Sequence, residues 1–380
     1  MRVLIINSAA SGTGIGNIVN LLLKFGTFHY DILNVDIFGT LRDRTFPNSP
    51  HGDTFPLITS KDIITGVSTI LNKKLYRKIA LLIRSQNLRY DAFLLSTSFL
   101  QFLADDLKKE FTVPVITILH DLGKVSLYSP KSFFVKAYSI WNARKILSAD
   151  LIITPSDYTH KNLKSFLNGR SEWTPIRVIK NAIDCTSFQP HDKKSAREQL
   201  DLPLDKKIVL SIGHDYSPKN VSSLIRAFDL IKDPNVLLLR VGGLMYSKQI
   251  YDRVSDTTKK KIIIMRDVGN DLIPLIYASA DLMVYPSLFE GFGLEIVEAA
   301  IMGTPSLFSN IEPMNSLLKG SMMINVPNDP KEICEKIKVC LSGKQTVFNE
   351  PAERDRLMRV YCQDRYVEEM ESAFLQFAHN

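Results

Sequence analysis

Short apolar runs rich in Val, Ile and Leu recur along the chain and alternate with longer amphipathic stretches. A run of this kind predicts a strand that is buried on both faces, as in parallel sheets covered by helices. The alternation with helical patterns predicts βαβ units, and therefore α/β domains of the doubly wound type. Eight runs support this prediction: RVLIIN, YDAFLLS, VPVITIL, ADLIITP, IVLSIG, VLLLRVGG, KIIIMRDV and ADLMVYP.

The length of the chain indicates more than one domain. Because 380 residues exceed what a single core ordinarily organises, we expect two domains of roughly 150–200 residues each. A polar segment between residues 180 and 205 contains two prolines and precedes a new strand at Ile208. We place the domains at residues 1–185 and 186–350, and we expect residues 351–380 to form a helix that returns to the first domain.

The composition excludes several classes of protein. Hydrophobic residues make up 45% of the chain and charged residues 23%, as in soluble globular proteins. The chain has no apolar run of about 18 residues that could span a membrane, and its first residues lack the apolar core of a signal peptide. We therefore expect a cytoplasmic protein, either free or peripheral on the inner face of the membrane. Four cysteines without metal-like spacing predict free thiols in a reducing compartment: Cys185, Cys334, Cys340 and Cys362.

Residues 285–309 read YPSLFEGFGLEIVEAAIMGTPSLFS and predict a site for an anion. A Gly-Phe-Gly turn follows an apolar strand and precedes a helical pattern that ends at Gly303. The first turn of a helix exposes unpaired N–H groups and the positive end of the helix dipole, which together bind anions such as phosphate. Since Gly291 and Gly293 lack Cβ atoms, the backbone can approach a ligand closely.

Two carboxylates flank this turn, Glu290 at the end of the strand and Glu298 inside the helix. Carboxylates repel a diphosphate, but they accept hydrogen bonds from the neutral hydroxyl groups of a sugar ring or a ribose. The turn and its glutamates therefore fit a nucleotide-sugar. The alternative is a plain turn whose glutamates cap or solvate the helix. A lone Gly-x-Gly favours that alternative, so other motifs must decide.

Several motifs, in the right order, resemble those of the retaining glycosyltransferases of family four, which have the GT-B fold. EGFGLEIVEAAIMGTP resembles the family signature with its two glutamates, and VIKNAIDCTSFQP resembles the interdomain segment. LSIGHDYSPKNVSSLIRAF resembles the start of the second domain, with Lys219 at the position of the diphosphate-binding lysine. The resemblance covers residues 150–330 well and the first 150 loosely. It implies two Rossmann-like domains that face a central cleft.

The resemblance also implies that the second domain binds a nucleoside-diphosphate sugar that is UDP- or GDP-linked. Glu290 would hold hydroxyls of the transferred sugar, Glu298 the ribose, and Lys219 the departing diphosphate. Where the family has an arginine, this chain has His214. Because imidazole is only partly charged near neutrality, either His214 binds phosphate weakly or another cation substitutes. The donor-binding positions would be Gly213, His214, Gly242, Val268, Gly291, Phe292, Gly293, Leu294 and Glu298.

Two features of the first domain complete the expected site. His120 follows a predicted strand, and the resemblance implies a catalytic position facing the donor sugar, whereas a structural role is the alternative. Three glycines follow the first strand, namely Gly12, Gly14 and Gly16. They do not complete the G-x-G-x-x-G pattern, so a dinucleotide site is not expected. This loop either touches the diphosphate or the acceptor, or forms a simple turn.

Residues 66–89 give the clearest indication of the acceptor. One apolar helical stripe includes Leu75 and Ile79, and basic residues lie largely elsewhere on the helix, at Lys73, Lys74, Arg77 and Lys78. A second aromatic and basic stretch spans residues 131–145, and residues 1–180 hold 23 Lys and Arg against 13 Asp and Glu. Basic amphipathic helices can lie on anionic membranes, although an ordinary helix packed on the core is the alternative. The resemblance implies a lipid-linked or oligosaccharide acceptor. No nucleic-acid partner is expected, since no nucleic-acid motif accompanies the charge.

The resemblance implies retention of anomeric configuration, through same-face attack in which the leaving phosphate takes the proton of the acceptor. No Asp-x-Asp motif occurs in a matching context, so we expect no obligatory metal. Two other functions stay open at this point. One is a nucleotide-sugar epimerase or hydrolase of the same two-domain form, and the other is a non-catalytic subunit that binds a nucleotide-sugar.

Overall fold

The apolar runs form two parallel β-sheets in the computed structural model, which describes residues 1–9, 13–36, 52–54, 58–59, 69–122, 145–167, 174–318, 321–343 and 351–378. Each sheet belongs to a separate compact unit. The first unit comprises Met1–Ala182 and Gln363–Asn380, and the second comprises Ile183–Cys362. The eight runs picked out from the sequence all contain strands, so the prediction of two doubly wound α/β domains is confirmed.

The sheet of the first unit has seven described strands in the order β3-β2-β1-β4-β5-β6-β7, and every pairing is parallel. Strands β4 and β6 are buried along their whole length, because helices cover both faces of such a sheet. The strands are β1 (Arg2–Asn7), β2 (His29–Asp36), β3 (Ile58–Thr59), β4 (Ala92–Leu95), β5 (Val115–Ile118), β6 (Leu151–Thr154) and β7 (Ile176–Val178).

Helices connect these strands and bury an apolar face against them. Leu75 and Ile79 of the second helix are 4% and 0% exposed and belong to the apolar core of this unit. The described α-helices before residue 182 are α1 (Gly14–Phe25), α2 (Thr69–Ser85), α3 (Ala104–Phe111) and α4 (Asp157–Leu167), with 3-10 turns at Ser98–Leu103 and Lys145–Ser148.

The sheet of the second unit has six strands among the described residues, in the order β10-β9-β8-β11-β12-β13, again all parallel. The chain moves outward from β8 in one direction and then returns to build β11 on its other side. Open parallel sheets bind ligands at such a reversal, beyond the carboxyl ends of the strands. The strands are β8 (Lys207–Ile212), β9 (Val236–Val241), β10 (Ile262–Met265), β11 (Leu282–Tyr285), β12 (Ser306–Ser309) and β13 (Met323–Ile324).

The helices of the second unit enclose its own apolar core, which includes Phe228 and Ile337. The α-helices are α5 (Lys193–Gln199), α6 (Val221–Leu230), α7 (Lys248–Arg253), α8 (Asp256–Lys259), α9 (Ile273–Ser279), α10 (Leu294–Ile301), α11 (Pro330–Leu341) and α12 (Pro351–Tyr361). Short 3-10 turns lie at Ser217–Lys219, Asn270–Leu272 and Met314–Ser316.

The last described residues form two helices, whereas the sequence predicts one helix over residues 351–380. The first is α12, in the second unit, and the other is α13 (Gln363–Ala378), in the first unit. The break lies at Cys362, where the backbone forms a bridge with Ile183 instead of continuing the helix. Within the first unit, Glu371 of α13 accepts a hydrogen bond from the Tyr30 hydroxyl at 3.1 Å.

Cys185 and Cys362 form a disulfide, with their Cα atoms 5.4 Å apart. The prediction of four free thiols is therefore wrong for this pair, and it holds for Cys334 and Cys340, which are free and buried. No sequence pattern indicates this pairing, because the two cysteines are separated by 177 positions. None of the helices in the described ranges has the length and apolar character needed to cross a membrane.

Candidate functional site

The Gly-Phe-Gly turn leads directly into α10, as predicted from the sequence. Gly293 occupies the N-cap position with a φ of +101°, a left-handed conformation that glycine adopts far more easily than other residues. A Cβ atom at this position would lie 3.2 Å from Met314 Cγ. The side chains of Phe292 and Leu294 are buried, so any ligand contact at these two positions would come from the backbone. Gly291 completes the turn and is partly exposed.

A buried cluster of one amine and two carboxylates lies beside this turn. The Lys219 Nζ lies 2.9 Å from Glu290 Oε1 and 3.0 Å from Glu295 Oε1. The Tyr285 hydroxyl donates to Glu290 Oε1 at 3.0 Å and also contacts Lys219 Nζ. Lys219 follows β8, whereas the two glutamates follow β11, so the reversal of strand order brings them together. The structure thus places predicted Lys219 and Glu290 in direct contact.

The charged groups of this cluster shift one another's pKa values. Burial acts to lower the pKa of Lys219, but Glu290 and Glu295 outweigh burial and raise it. Burial raises the pKa of Glu290, although Lys219 opposes the change. Burial also acts to raise the pKa of Glu295, yet Lys219 outweighs it and the pKa is lowered. Lys219 therefore stays protonated, while Glu290 is the carboxylate of the pair that accepts a proton more readily.

Glu298 lies one turn further along α10 and has a different partner. It is 8% exposed, and its Oε2 accepts a hydrogen bond from the Tyr277 hydroxyl at 2.6 Å. Burial, followed by the charge of Glu295, raises the pKa of Glu298 to about 7, although the Tyr277 hydrogen bond opposes this. Glu295 and Glu298 lie on the same turn of α10, yet the pKa of Glu295 is lowered and that of Glu298 is raised.

Glycine turns follow the two strands next to this cluster. Gly213 after β8 and Gly242 after β9 have φ values of +111° and +113°. A Cβ atom at Gly242 would lie 2.4 Å from the carbonyl oxygen of Gly213, so the two turns pack too closely for any side chain. His214 is exposed, and Val268 is half-buried three residues beyond β10. All the predicted donor-binding positions therefore follow the carboxyl ends of β8, β9, β10 and β11.

Two family models match the chain in succession. The model described as Glycosyltransferase Family 4 matches residues 33–187, and the model described as Glycosyl transferases group 1 matches residues 192–355. The chain belongs to the family 4, group 1 glycosyltransferases.

Relatives and solved structures agree with this membership. The O-antigen chain mannosyltransferase RfbU of Salmonella typhimurium is 27% identical over 234 residues, which cover 60% of this chain and 62% of the relative. The chain thus spans less than two thirds of the length of that curated relative. Among solved structures, sucrose-phosphate synthase from Thermosynechococcus elongatus gives a TM-score of 0.77 at 19% identity, with 100% of both chains covered. Anabaena HepE in complex with UDP-glucose gives a TM-score of 0.75 at 17% identity, covering 99% of this chain and 100% of the other. The predicted GT-B fold is confirmed.

Two sets of residues in the first unit of this glycosyltransferase family member are predicted from the sequence to belong to the site, namely His120 and the glycines that follow β1. His120 is 8% exposed, and its Nε2 lies 2.9 Å from the carbonyl oxygen of Ser96. That acceptor requires a proton on Nε2, and burial lowers the pKa of His120, so the neutral ring is favoured. Gly14 and Gly16 lie in the first turn of α1, where the Thr13 side chain caps Gly16 N, whereas Gly12 falls outside the described residues.

The proposed membrane helix is α2, and the described residues of its apolar stripe, Leu75, Ile79 and Leu82, contact the core of the first unit, whereas Leu81 is 66% exposed. This packing matches the ordinary-helix alternative for the part of the stripe that is described. Arg77 and Lys78 are exposed, while the side chains of Lys73 and Lys74 and nearly all of residues 131–145 lie outside the described part of the chain.

One group of side chains in the described residues has the spacing of a metal site. His29, Asp31 and Asp53 bring their ligating atoms within 4.8 Å of one another. However, Arg2 already pairs with Asp31 at 2.7 Å and with Asp53 at 3.6 Å. The guanidinium occupies these carboxylates and repels a second cation, so the group fits a structural ion pair better than a metal site.

Sequence reasoning missed Glu295, Tyr277 and Tyr285. Glu295 lies within the quoted signature, and a position three residues before Glu298 places it on the same face of the helix. That spacing was the available signal for Glu295. The two tyrosines come from the buried residues of α9 and β11, where an aromatic side chain ordinarily indicates core packing.

Proposed function

We propose that this protein is a retaining glycosyltransferase that moves a sugar from a nucleoside-diphosphate sugar to a lipid-linked or glycan acceptor. The observation that carries the proposal is the buried cluster of Lys219, Glu290 and Glu295 beside the N-terminus of α10. An ammonium group and the N–H groups of a first helix turn suit a diphosphate, and carboxylates suit sugar hydroxyls.

The proposed roles follow from these chemistries. Lys219 exchanges a carboxylate for a phosphate oxygen when the donor binds, and it neutralises the charge that develops as the anomeric bond breaks. Glu290 then accepts hydrogen bonds from hydroxyls of the transferred sugar, while Glu298 accepts from the ribose. The acceptor attacks from the face that the diphosphate leaves, and the leaving phosphate takes its proton. His120, as a neutral ring, serves as a hydrogen-bonding group rather than as a cation.

The donor class rests on the relatives. HepE was solved with UDP-glucose, and RfbU is named as a mannosyltransferase of the O-antigen chain. We therefore place the donor among UDP- and GDP-sugars and the acceptor among lipid-linked and oligosaccharide glycans. Because Lys219 can neutralise the leaving diphosphate, the proposal includes no obligatory metal. The basic excess of the first 180 residues and exposed Arg77 and Lys78 support an anionic membrane surface as a partner.

A two-step experiment tests the proposal. A thermal-shift panel of UDP-, GDP- and ADP-sugars identifies the donor, since a ligand at 100 times its Kd adds about 2.7 kcal/mol of stability. Transfer from that donor is then measured for wild type, Glu290→Gln and the control Glu198→Gln, whose side chain is 54% exposed on α5. We expect Glu290→Gln to lower turnover by about 100-fold or more and the control to leave it unchanged.

Other outcomes point to the other functions. Free sugar or an epimer released without any acceptor would indicate a hydrolase or an epimerase. Tight donor binding without turnover on lipid-linked or glycan acceptors would indicate a non-catalytic binding subunit. No stabilisation by any nucleotide-sugar would remove the proposal altogether.

A further inference from the structure

Strand β9 buries an arginine in the middle of the second sheet. Arg240 is 1% exposed, and its neighbours along the strand are Leu239 at 0% and Val241 at 5%. Burying an ion costs several kcal/mol unless a partner compensates it, and an apolar side chain of similar size is often the more stabilising choice. Packing alone therefore does not explain why a charged side chain is buried at position 240.

The hydrogen bonds of Arg240 lead to the glycine turns beside the candidate site. Its Nη1 donates to the carbonyl oxygens of Val241 at 2.9 Å and Ser211 at 3.2 Å. Its Nη2 donates to the carbonyl oxygens of Gly213 at 2.5 Å and Gly243 at 3.4 Å. All four acceptors lie at or just beyond the carboxyl ends of β8 and β9. The buried Nε has no hydrogen-bond partner.

These four acceptors are neutral carbonyl groups, so none of them balances the positive charge of the Arg240 guanidinium. No described carboxylate forms an ion pair with Arg240. Burial lowers the pKa of Arg240 to about 10, although the charge of Asp215 opposes the change. Asp215 Oδ2 is itself engaged by the backbone N–H groups of Tyr246 at 2.9 Å and Ser247 at 2.8 Å. Arg240 thus remains a buried cation that forms no ion pair with a described carboxylate, and the charge of Asp215 acts on it from beyond ion-pair distance.

The other buried cations of this unit do have counter-ions. Arg197 is 5% exposed, and its Nη2 pairs with Asp281 at 2.7 Å. Lys219 is held between Glu290 and Glu295. The same fold therefore pairs Arg197 and Lys219 directly with carboxylates. It gives Arg240 no such pair, and the hydrogen bonds of Arg240 reach the turns where the proposed donor would bind.

The hydrogen bond to Gly213 also orients a backbone donor. In a trans peptide the C=O and N–H groups point in opposite directions. Because the Gly213 carbonyl points at the guanidinium, the N–H of His214 points away from it. A charge on the carbonyl side polarises the peptide and strengthens its N–H as a donor to an anion. The charge of a fully buried side chain can thus act at the outer face of the turn.

We propose that Arg240 is the positioning residue that supplies fixed positive charge to the diphosphate of the donor, from beneath the turns after β8 and β9. It takes the place of the arginine that the family resemblance leads one to expect at position 214, where this chain has His214. This inference rests on the proposed function, since it requires a nucleoside-diphosphate donor.

The test compares how strongly wild type and variants bind a nucleoside diphosphate and the matching nucleoside. UDP, GDP and ADP are titrated by calorimetry, and uridine, guanosine and adenosine by ligand-observed NMR. For the diphosphate that wild type binds, we expect Arg240→Gln to raise Kd about tenfold and to leave the nucleoside Kd within about twofold. We expect Arg240→Lys, which keeps the charge, to recover most of the affinity. Arg197→Gln is the control for removing a buried arginine of the same unit, and we expect it to leave both constants unchanged.

The outcomes separate this inference from the proposed function. If wild type binds no nucleoside diphosphate, the proposed function fails and this inference fails with it. If wild type binds one and Arg240→Gln weakens diphosphate and nucleoside equally, or weakens neither, Arg240 is structural and only this inference fails. Should Arg240→Gln not fold, Asp215→Asn decides, because removing the opposing charge should lower the diphosphate Kd several-fold and leave the nucleoside Kd unchanged. An unchanged diphosphate Kd in Asp215→Asn would then overturn the inference.

Discussion

Replacing Glu298 by glutamine should stabilise the second unit and make its stability less dependent on pH. Glu298 is buried on α10, and its carboxylate faces the Tyr277 hydroxyl and the charge of Glu295. Folding raises the pKa of Glu298 from its ordinary value of 4.5 to about 7, chiefly because burial disfavours the charged form. The folded chain therefore holds this proton more tightly than the unfolded chain does.

The sign and size of the effect follow from linkage. Below about pH 4.5 the Glu298 carboxyl is protonated in both the folded and the unfolded chain, and its full contribution to the free energy of unfolding is present. That contribution is lost as the pH rises from 4.5 through 7, where the unfolded chain has released the proton and the folded chain still holds it. A pKa that rises from 4.5 to about 7, at 1.36 kcal/mol per pH unit, gives a loss of about 3 kcal/mol. Glutamine carries no titrating proton, so Glu298→Gln avoids the loss.

Hydrogen exchange of α10 amides in increasing urea, at pH 5, 7 and 8.5, measures the free energy of opening in this part of the unit. The advantage of Glu298→Gln over wild type should grow by about 2–3 kcal/mol from pH 5 to pH 8.5, because part of the loss has already occurred at pH 5. Glu198→Gln, at an exposed side chain of α5, should differ from wild type by less than about 0.5 kcal/mol at every pH. A difference between Glu298→Gln and wild type that does not change with pH would refute the reasoning.

Three further predictions concern other parts of the second unit. Lys219→Met leaves two buried carboxylates without their cation, so it should lower stability by about 3–5 kcal/mol and turnover by about 100-fold, whereas exposed Lys194→Met should change neither; near-wild-type values in urea unfolding and transfer assays would contradict this. In unfolded, unreduced protein a thiol reagent should detect two of the four cysteines, and four only after reduction. Gly293→Ala should lower the free energy of unfolding by about 1–2 kcal/mol because of its left-handed backbone. Gly243→Ala is the control, because nothing lies within 4 Å of the added Cβ, and it should leave the free energy of unfolding nearly unchanged. Equal melting temperatures for Gly293→Ala and Gly243→Ala would refute the proposed backbone strain at position 293.

The strands that could be predicted from the sequence are those with uninterrupted apolar runs. In β1 and β9 the Val, Ile and Leu content marks burial on both faces, and the structure bears this out. Strand β2 has polar residues at Asp31 and Asn34, and both are buried through hydrogen bonds that no apolar pattern reveals. Strands β3 and β13 are two residues long, too short for periodicity to detect.

The candidate site was predictable where its residues are neighbours in sequence. Glu290 and Glu298 lie on one short segment, so a strand, a turn and a helix start already relate them. Contacts between distant segments depend on strand order, which is why the pairing of Lys219 with Glu295 could not be foreseen. Arg240 illustrates a different limit, because a charged residue in an apolar run gives no sign of whether it faces solvent or the core.

The disulfide between Cys185 and Cys362 lies where the chain enters and leaves the second unit, next to the 2.8 Å hydrogen bond from Ile183 N to the carbonyl oxygen of Tyr361. Nearly the entire second unit is therefore a covalent ring, and its sequence is inserted between the two segments of the first unit. A protease cut in any loop between these cysteines would open the ring without releasing a fragment. Equally, a gene segment encoding residues 183–362 would give a polypeptide whose two ends are joined by this disulfide, which makes it a suitable starting point for producing the second unit by itself.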